Sequence, residues 1–174
     1  AAAKVRGLDG AAARPVRSIA VIGTGLMGSG IAVSALDAGY TVTCVEQTAE
    51  RAAAGRDRIA ALLDRAVASG RLDERGWTQR LERLTVADRL DAAAGADLVI
   101  EAVFDDLAVK TELFVALDAI VRPDTVLATN TSYLDPDVIA AAVSRPERVL
   151  GMHFFSPANV MRLLEIVQCA KTAP

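Results

Sequence analysis

The stretch Ser18-Ile19-Ala20-Val21-Ile22-Gly23-Thr24-Gly25-Leu26-Met27-Gly28 decides how the rest of the chain is read. Ile19 to Ile22 is apolar and rich in β-branched residues, so it reads as a short buried strand. Gly23, Gly25 and Gly28 then satisfy the spacing G-x-G-x-x-G, and Leu26 and Met27 open a helix. In a dinucleotide site the three glycines act differently. Gly23 makes the tight turn, Gly25 lets a pyrophosphate approach the backbone, and Gly28 lets helix and strand pack closely. The helix start adds free N–H groups and the positive end of a dipole. The glycine spacing alone is weak evidence; its place between a strand and a helix is the context that the motif needs.

Working outward, Leu26 to Ala38 reads as a helix stopped by Gly39, and Thr41 to Val45 as a second strand. Glu46 ends that strand 18 residues past Gly28, close to where an acid would bind the adenine-side ribose hydroxyls. An acid there favours NAD, because it repels the 2′-phosphate of NADP. Arg51, the nearest base, is expected in the first turn of the next helix, facing water. Ala49 to Ser69, then Asp73 to about Arg83, form an inserted helical hairpin, with Trp77 packing it onto the body. Arg51, Arg58 and Arg65 recur every seven residues and share one face. On pattern alone this is a solvated face paired with Asp57, Asp64 and Glu82, ahead of a surface for a polyanionic substrate tail.

Further strands are expected at 84–87, 96–103, 125–129, 149–155 and 163–167, and helices at 107–120 and from Pro136 to about Val143. The helix at 107–120 shows an apolar stripe of Leu107, Leu113, Phe114, Leu117 and Ile120. Strands alternating with helices define an α/β fold, a doubly wound, mostly parallel Rossmann-type sheet with ligands beyond the carboxyl ends of its strands. At those ends fall the glycine turn, Glu46, Asp105 with Lys110, Asn130 to Ser132, and His153.

The 174 residues fit one domain, with 1–15 as a linker and 16–174 as the folded unit. A 52% apolar and 4% aromatic composition means an aliphatic core. The net charge of −3 gives no reason to expect nucleic acid or an anionic membrane, and no apolar run reaches the ~18 residues that a membrane span needs. Cys44 and Cys169 read as reduced thiols of a cytoplasmic-type protein, or of a peroxisomal or mitochondrial one in a eukaryote. A single histidine excludes a multi-histidine metal site.

That histidine, His153, stands at a predicted strand end, and Glu165 follows on the next strand. A turn near Ser156 to Met161 would fold the carboxylate back beside the imidazole. There it would orient the ring and stabilise the imidazolium formed when histidine removes a hydroxyl proton. Ser132 either hydrogen-bonds a substrate oxygen or belongs to a polar cap before Asp135.

The segments Ala128-Thr129-Asn130-Thr131-Ser132-Tyr133-Leu134 and, above all, Gly151-Met152-His153-Phe154-Phe155-Ser156-Pro157 with Glu165 resemble the NAD-binding domain of L-3-hydroxyacyl-CoA dehydrogenases. The resemblance covers about Val16 to Lys171 and implies NAD as cofactor and acyl-CoA as substrate. It implies His153 as catalytic base, Glu165 as its paired acid, and Ser132 as the serine touching substrate and cofactor. Gly23, Gly25, Leu26, Met27, Gly28, Glu46, Val103, Phe104, Asp105, Lys110, Asn130 and Ser156 fall at cofactor-binding positions. The family often has aspartate at 46, glutamate at 105 and asparagine at 156, and its hairpin lysine has no match near Ser69. The hairpin arginines could replace that lysine, which favours the polyanion reading. A second, helical domain follows in the family, where this chain stops at Pro174. The lead-in from Lys4 to Gly10 resembles the linker after an enoyl-CoA hydratase region of multifunctional β-oxidation enzymes. Two further readings stay open: a non-catalytic dinucleotide-binding module, and a relative acting on small hydroxy acids without CoA.

Overall fold

The computed structural model describes residues 14–174, so nearly all of the expected linker lies outside the described residues. Seven strands form one sheet in the order β3-β2-β1-β4-β5-β6-β7. They are β1 (Ser18–Ile22), β2 (Thr41–Val45), β3 (Leu84–Ala87), β4 (Leu98–Glu101), β5 (Val126–Thr129), β6 (Val149–Phe154) and β7 (Leu164–Gln168). The helices are α1 (Leu26–Asp37), α2 (Ala49–Ala68), α3 (Glu74–Glu82), α4 (Leu107–Ile120) and α5 (Pro136–Ala140).

Side chains alternate across a strand, so β1 feeds two cores. Ile19 and Val21 pack with Ile31 and Leu36 of α1 and with Ile59 and Leu63 of α2. Ala20 and Ile22 face the other way, onto Phe114 and Leu117 of α4 and Ile139 of α5. Of the apolar stripe expected on α4, Phe114 and Leu117 are fully buried, whereas Leu107 is 39% exposed because it sits in the first turn, at the rim. The same buried face carries Lys110.

Two expectations are corrected. β4 is shorter than 96–103: Ala96 N–H turns back to the Ala93 carbonyl, and Val103 N–H goes to the Glu101 side chain instead of a neighbouring strand. α5 ends at Ala140, and the chain to Val143 continues in tighter i→i+3 bonds. The mostly parallel sheet and the expected turn back before Glu165 are both present: β3 to β6 run parallel, and β7 runs antiparallel to β6. The connection 155–163 is too short for a parallel crossover, which takes a dozen residues or more, so the strand must return alongside.

The α2–α3 hairpin is fixed from both ends. Thr48 caps α2 by accepting from Arg51 N–H, and Asp73 caps α3 by accepting from Gly76 N–H. Arg80 Nε meets Asp37 Oδ1 at 2.6 Å. Arg83 donates to the carbonyls of Leu36 and Tyr40 at the carboxyl end of α1, where a cation suits both the orphan carbonyls and the dipole. Trp77 packs against the first core and donates Nε1–H to Asp64 at 2.8 Å.

Candidate active site

Strand order reverses between β1 and β4, and the loops leaving these two strands part there to open a crevice. Gly23 has φ 90°, and a Cβ there would lie 2.9 Å from the Ala102 carbonyl oxygen. A Cβ at Gly28 would lie 1.8 Å from the Gly23 carbonyl oxygen. Both positions are closed to any larger residue by protein backbone. Gly25 differs: a Cβ there meets nothing within 4 Å, so the space it faces is open to a ligand. Gly25 caps α1 without a side-chain hydrogen bond, and the first turn holds no acid. The amide groups of that turn are therefore available to an anion. Leu26 is 75% exposed at the rim, while Met27 packs against the first core.

A cavity of about 700 Å³ continues from this turn between the ends of β2 and β4, lined by Gly23, Gly25, Glu46, Arg51, Val103 and Phe104 among others. Glu46 Oε1 accepts from Thr24 N–H at 2.6 Å and from Thr24 Oγ1 at 2.8 Å. Arg51 sits where expected, in the first turn of α2, exposed and donating to Gln47 Oε1 at 2.8 Å. The expected pairing of the arginine face with Asp57, Asp64 and Glu82 does not form. Arg58 Nε donates to the Thr24 carbonyl and Arg65 Nε to the Ala61 carbonyl, while Asp64 is taken by Trp77. Asp57 neighbours Arg58 in sequence, and Asp64 is six residues on, so neither has the i,i+3 or i,i+4 spacing that pairing needs.

At the ends of β4 and β5 a charged cluster is buried. Glu101 is fully buried and Lys110 is 1% exposed. Lys110 Nζ lies 2.5 Å from Glu101 Oε1 and 3.0 Å from Asp105 Oδ1. Glu101 also accepts from Val103 N–H and from Thr129 Oγ1. Lys110 thus serves Asp105 and Glu101 from beneath the loop 102–106. Phe104 on that loop is 83% exposed. Tyr133 Oη donates to the Asp105 carbonyl at 3.0 Å and ties this loop to the one carrying Ser132, which is exposed. Asn130 Oδ1 accepts from Phe154 N–H, so its side chain holds the end of β6. Ser156 is exposed, at the cis bond before Pro157.

The antiparallel register places His153 opposite Glu165, and Nδ1 of the ring lies 2.9 Å from Glu165 Oε2. The carboxylate takes an N–H on Nδ1 and leaves Nε2 as the nitrogen free to accept a proton. The His153 side chain is 22% exposed and its ring lies 4.6 Å from that of Phe155. This pair lies outside the lining of the 700 Å³ cavity, toward the β6–β7 edge. Sequence pattern does not single out Thr24, Thr129 or Tyr133, and it places Arg58 on a helix face without naming its partner. Glu101, also missed, carries a signal of its own, an acid inside an otherwise apolar strand.

A doubly wound sheet, an uncapped glycine turn at its switch point and a carboxylate at the end of β2 together define a dinucleotide-binding α/β domain. The chain belongs to the family described as "3-hydroxyacyl-CoA dehydrogenase, NAD binding domain", whose sequence model matches residues 18–174. It is 42% identical over 158 residues to a probable 3-hydroxybutyryl-CoA dehydrogenase of Bacillus subtilis, covering 91% of this chain and 55% of that protein. It is 39% identical over 164 residues to the human peroxisomal bifunctional enzyme, covering 94% of this chain and 22% of that protein. The crystal structure of 3-hydroxybutyryl-CoA dehydrogenase from Escherichia coli K12 superposes with a TM-score of 0.88 at 42% identity, over 92% of this chain and 34% of that one. The chain spans about half the length of the Bacillus subtilis and Mycobacterium tuberculosis 3-hydroxybutyryl-CoA dehydrogenases it matches. NAD is the cofactor of the family, and the open space at Gly25, the uncapped α1 and the Glu46 carboxylate fit it. Among the described residues no helix is long and apolar enough to cross a membrane.

Proposed function

We propose that this chain is the NAD-binding and catalytic-base half of a dehydrogenase that oxidises (3S)-3-hydroxyacyl-CoA to 3-oxoacyl-CoA in fatty acid β-oxidation. The observation that carries the reading is the His153–Glu165 contact at 2.9 Å on the last two strands. A bound NAD would supply the hydride acceptor for C3. His153 Nε2 takes the proton of the C3 hydroxyl. Glu165 holds the ring through Nδ1 and stabilises the imidazolium that results. Ser132 hydrogen-bonds the substrate oxygen, and Tyr133 steadies its loop against Asp105. The amides of the α1 start and Gly25 take the pyrophosphate, and Glu46 takes the adenine-side ribose.

The test is substitution in the full-length protein. His153→Ala should leave NADH affinity within about threefold and lower kcat by about 10²–10⁴, the usual worth of a general base. Glu165→Gln should lower kcat more than it changes NADH affinity. Near-normal turnover by His153→Ala would overturn the assignment. The chain's half-length match also favours a second reading, in which these residues on their own bind the dinucleotide without turning substrate over. Acetoacetyl-CoA against acetoacetate as substrate separates a CoA-dependent enzyme from one acting on small hydroxy acids.

A further inference from the structure

Thr24 occupies the second position of the glycine turn, where the motif sets no requirement. It is wholly buried, and its polar atoms are engaged by three different elements. Its N–H and Oγ1 both donate to Glu46 Oε1, beyond the end of β2. Its carbonyl accepts from Ser29 Oγ of α1 at 2.8 Å and from Arg58 Nε of α2 at 2.9 Å. The packing against α2 is close: a Cβ at Gly55 would lie 2.0 Å from Thr24 Oγ1. Thr24 is therefore a fixed point to which the Glu46 carboxylate is moored twice.

The mooring bears on which dinucleotide the cavity accepts. A glutamate has several rotamers and can swing a carboxylate aside when an anion approaches. Here Oε1 is held, and among the described residues both bonds made by the Glu46 carboxylate use that oxygen, which leaves Oε2 for ribose hydroxyls. The cavity lining holds three acids, Glu46, Asp88 and Glu112, and one cation, Arg51. Arg51 is exposed and its side chain is bonded to Gln47, so it could reach a 2′-phosphate if Glu46 withdrew. We infer that Thr24 is a specificity-determining positioning residue, which discriminates against a 2′-phosphorylated dinucleotide by preventing Glu46 from turning away in favour of Arg51. This rests on the cavity being the adenosine end of the NAD site.

Direct titration of the purified protein with NADH and NADPH, followed by nicotinamide fluorescence, tests it. The wild type should bind NADH far more tightly than NADPH; failure to bind NADH would refute the site itself and not the mooring. Thr24→Val keeps the shape and the backbone bond but loses the hydroxyl bond. The NADH-to-NADPH affinity ratio should then narrow by about tenfold, chiefly through tighter NADPH binding. Thr24→Ser should restore the wild-type ratio. Thr24→Ala lacks the same hydroxyl and takes the place of Thr24→Val if that variant does not fold. A purely structural role would weaken both ligands together and leave the ratio unchanged. A ratio that narrows by less than about threefold, or that serine fails to restore, overturns the inference.

Discussion

Burial decides what single side chains can do here. Lys110 and Glu101 are both enclosed, and their attraction is supported by bonds from Val103, Thr129 and Asp105. Removing one partner strands the other charge without water. Lys110→Met should therefore destabilise the protein by about 3–5 kcal/mol in urea unfolding, whereas Lys110→Met with Glu101→Gln should recover part of that loss. No recovery in the double variant would mean that the cluster matters only through packing. Cys44 shows what burial does to a thiol. Enclosure in β2, with the Glu46 carboxylate nearby, pushes it up to about 12. It is a core side chain with no thiolate to offer near neutral pH.

Among elements, the amino ends of β1 and β4 are lashed together by one carboxylate. Asp97 accepts from the N–H groups of Arg17 and Ser18, from Ser18 Oγ and from Arg122. The backbone donors come first among the causes that hold its carboxyl well below the usual range. A lowered pKa means that the unfolded chain binds the proton more readily. The stabilisation is present above about pH 4, where a free aspartate is ionised, and is lost as the pH falls below it. Asp97→Asn should lower stability at pH 7 and flatten the acid limb of the unfolding free energy between about pH 5 and 2. Parallel acid limbs for the two proteins would disprove this. Asp118, on α4, pairs with Arg148, which also donates to the Arg122 carbonyl. Burial opposes ionisation of Asp118, but hydrogen bonds from Ser144 and Arg148 outweigh that and hold it low.

For the molecule as a whole, the outer edge of the sheet is where apolar side chains lie exposed. Every residue of β7 is exposed, including Leu164, Ile166 and Val167, and so are Val160, Met161 and Leu163 just before it. Glu165 stands on that strand with its side chain 53% exposed. We expect these 174 residues alone to bind NADH yet to form little NADH from a 3-hydroxyacyl-CoA in a steady-state assay. Robust turnover would refute that. The sequence by itself determined the sheet's periodicity, the glycine turn, the carboxylate at the end of β2 and the candidate histidine. Each rests on local spacing: alternation along a strand, a turn only glycine can make, a strand end that faces the crevice. Only the tertiary structure decided the rest. It set the β6–β7 register that puts His153 directly opposite Glu165, where the sequence offered only a turn folding the carboxylate back. It drew Thr24 to Glu46 and Lys110 to Glu101, contacts between residues whose spacing in the chain carries no periodic signal. A buried polar atom takes whatever partner the packed fold brings within reach, and nothing short of the fold names that partner.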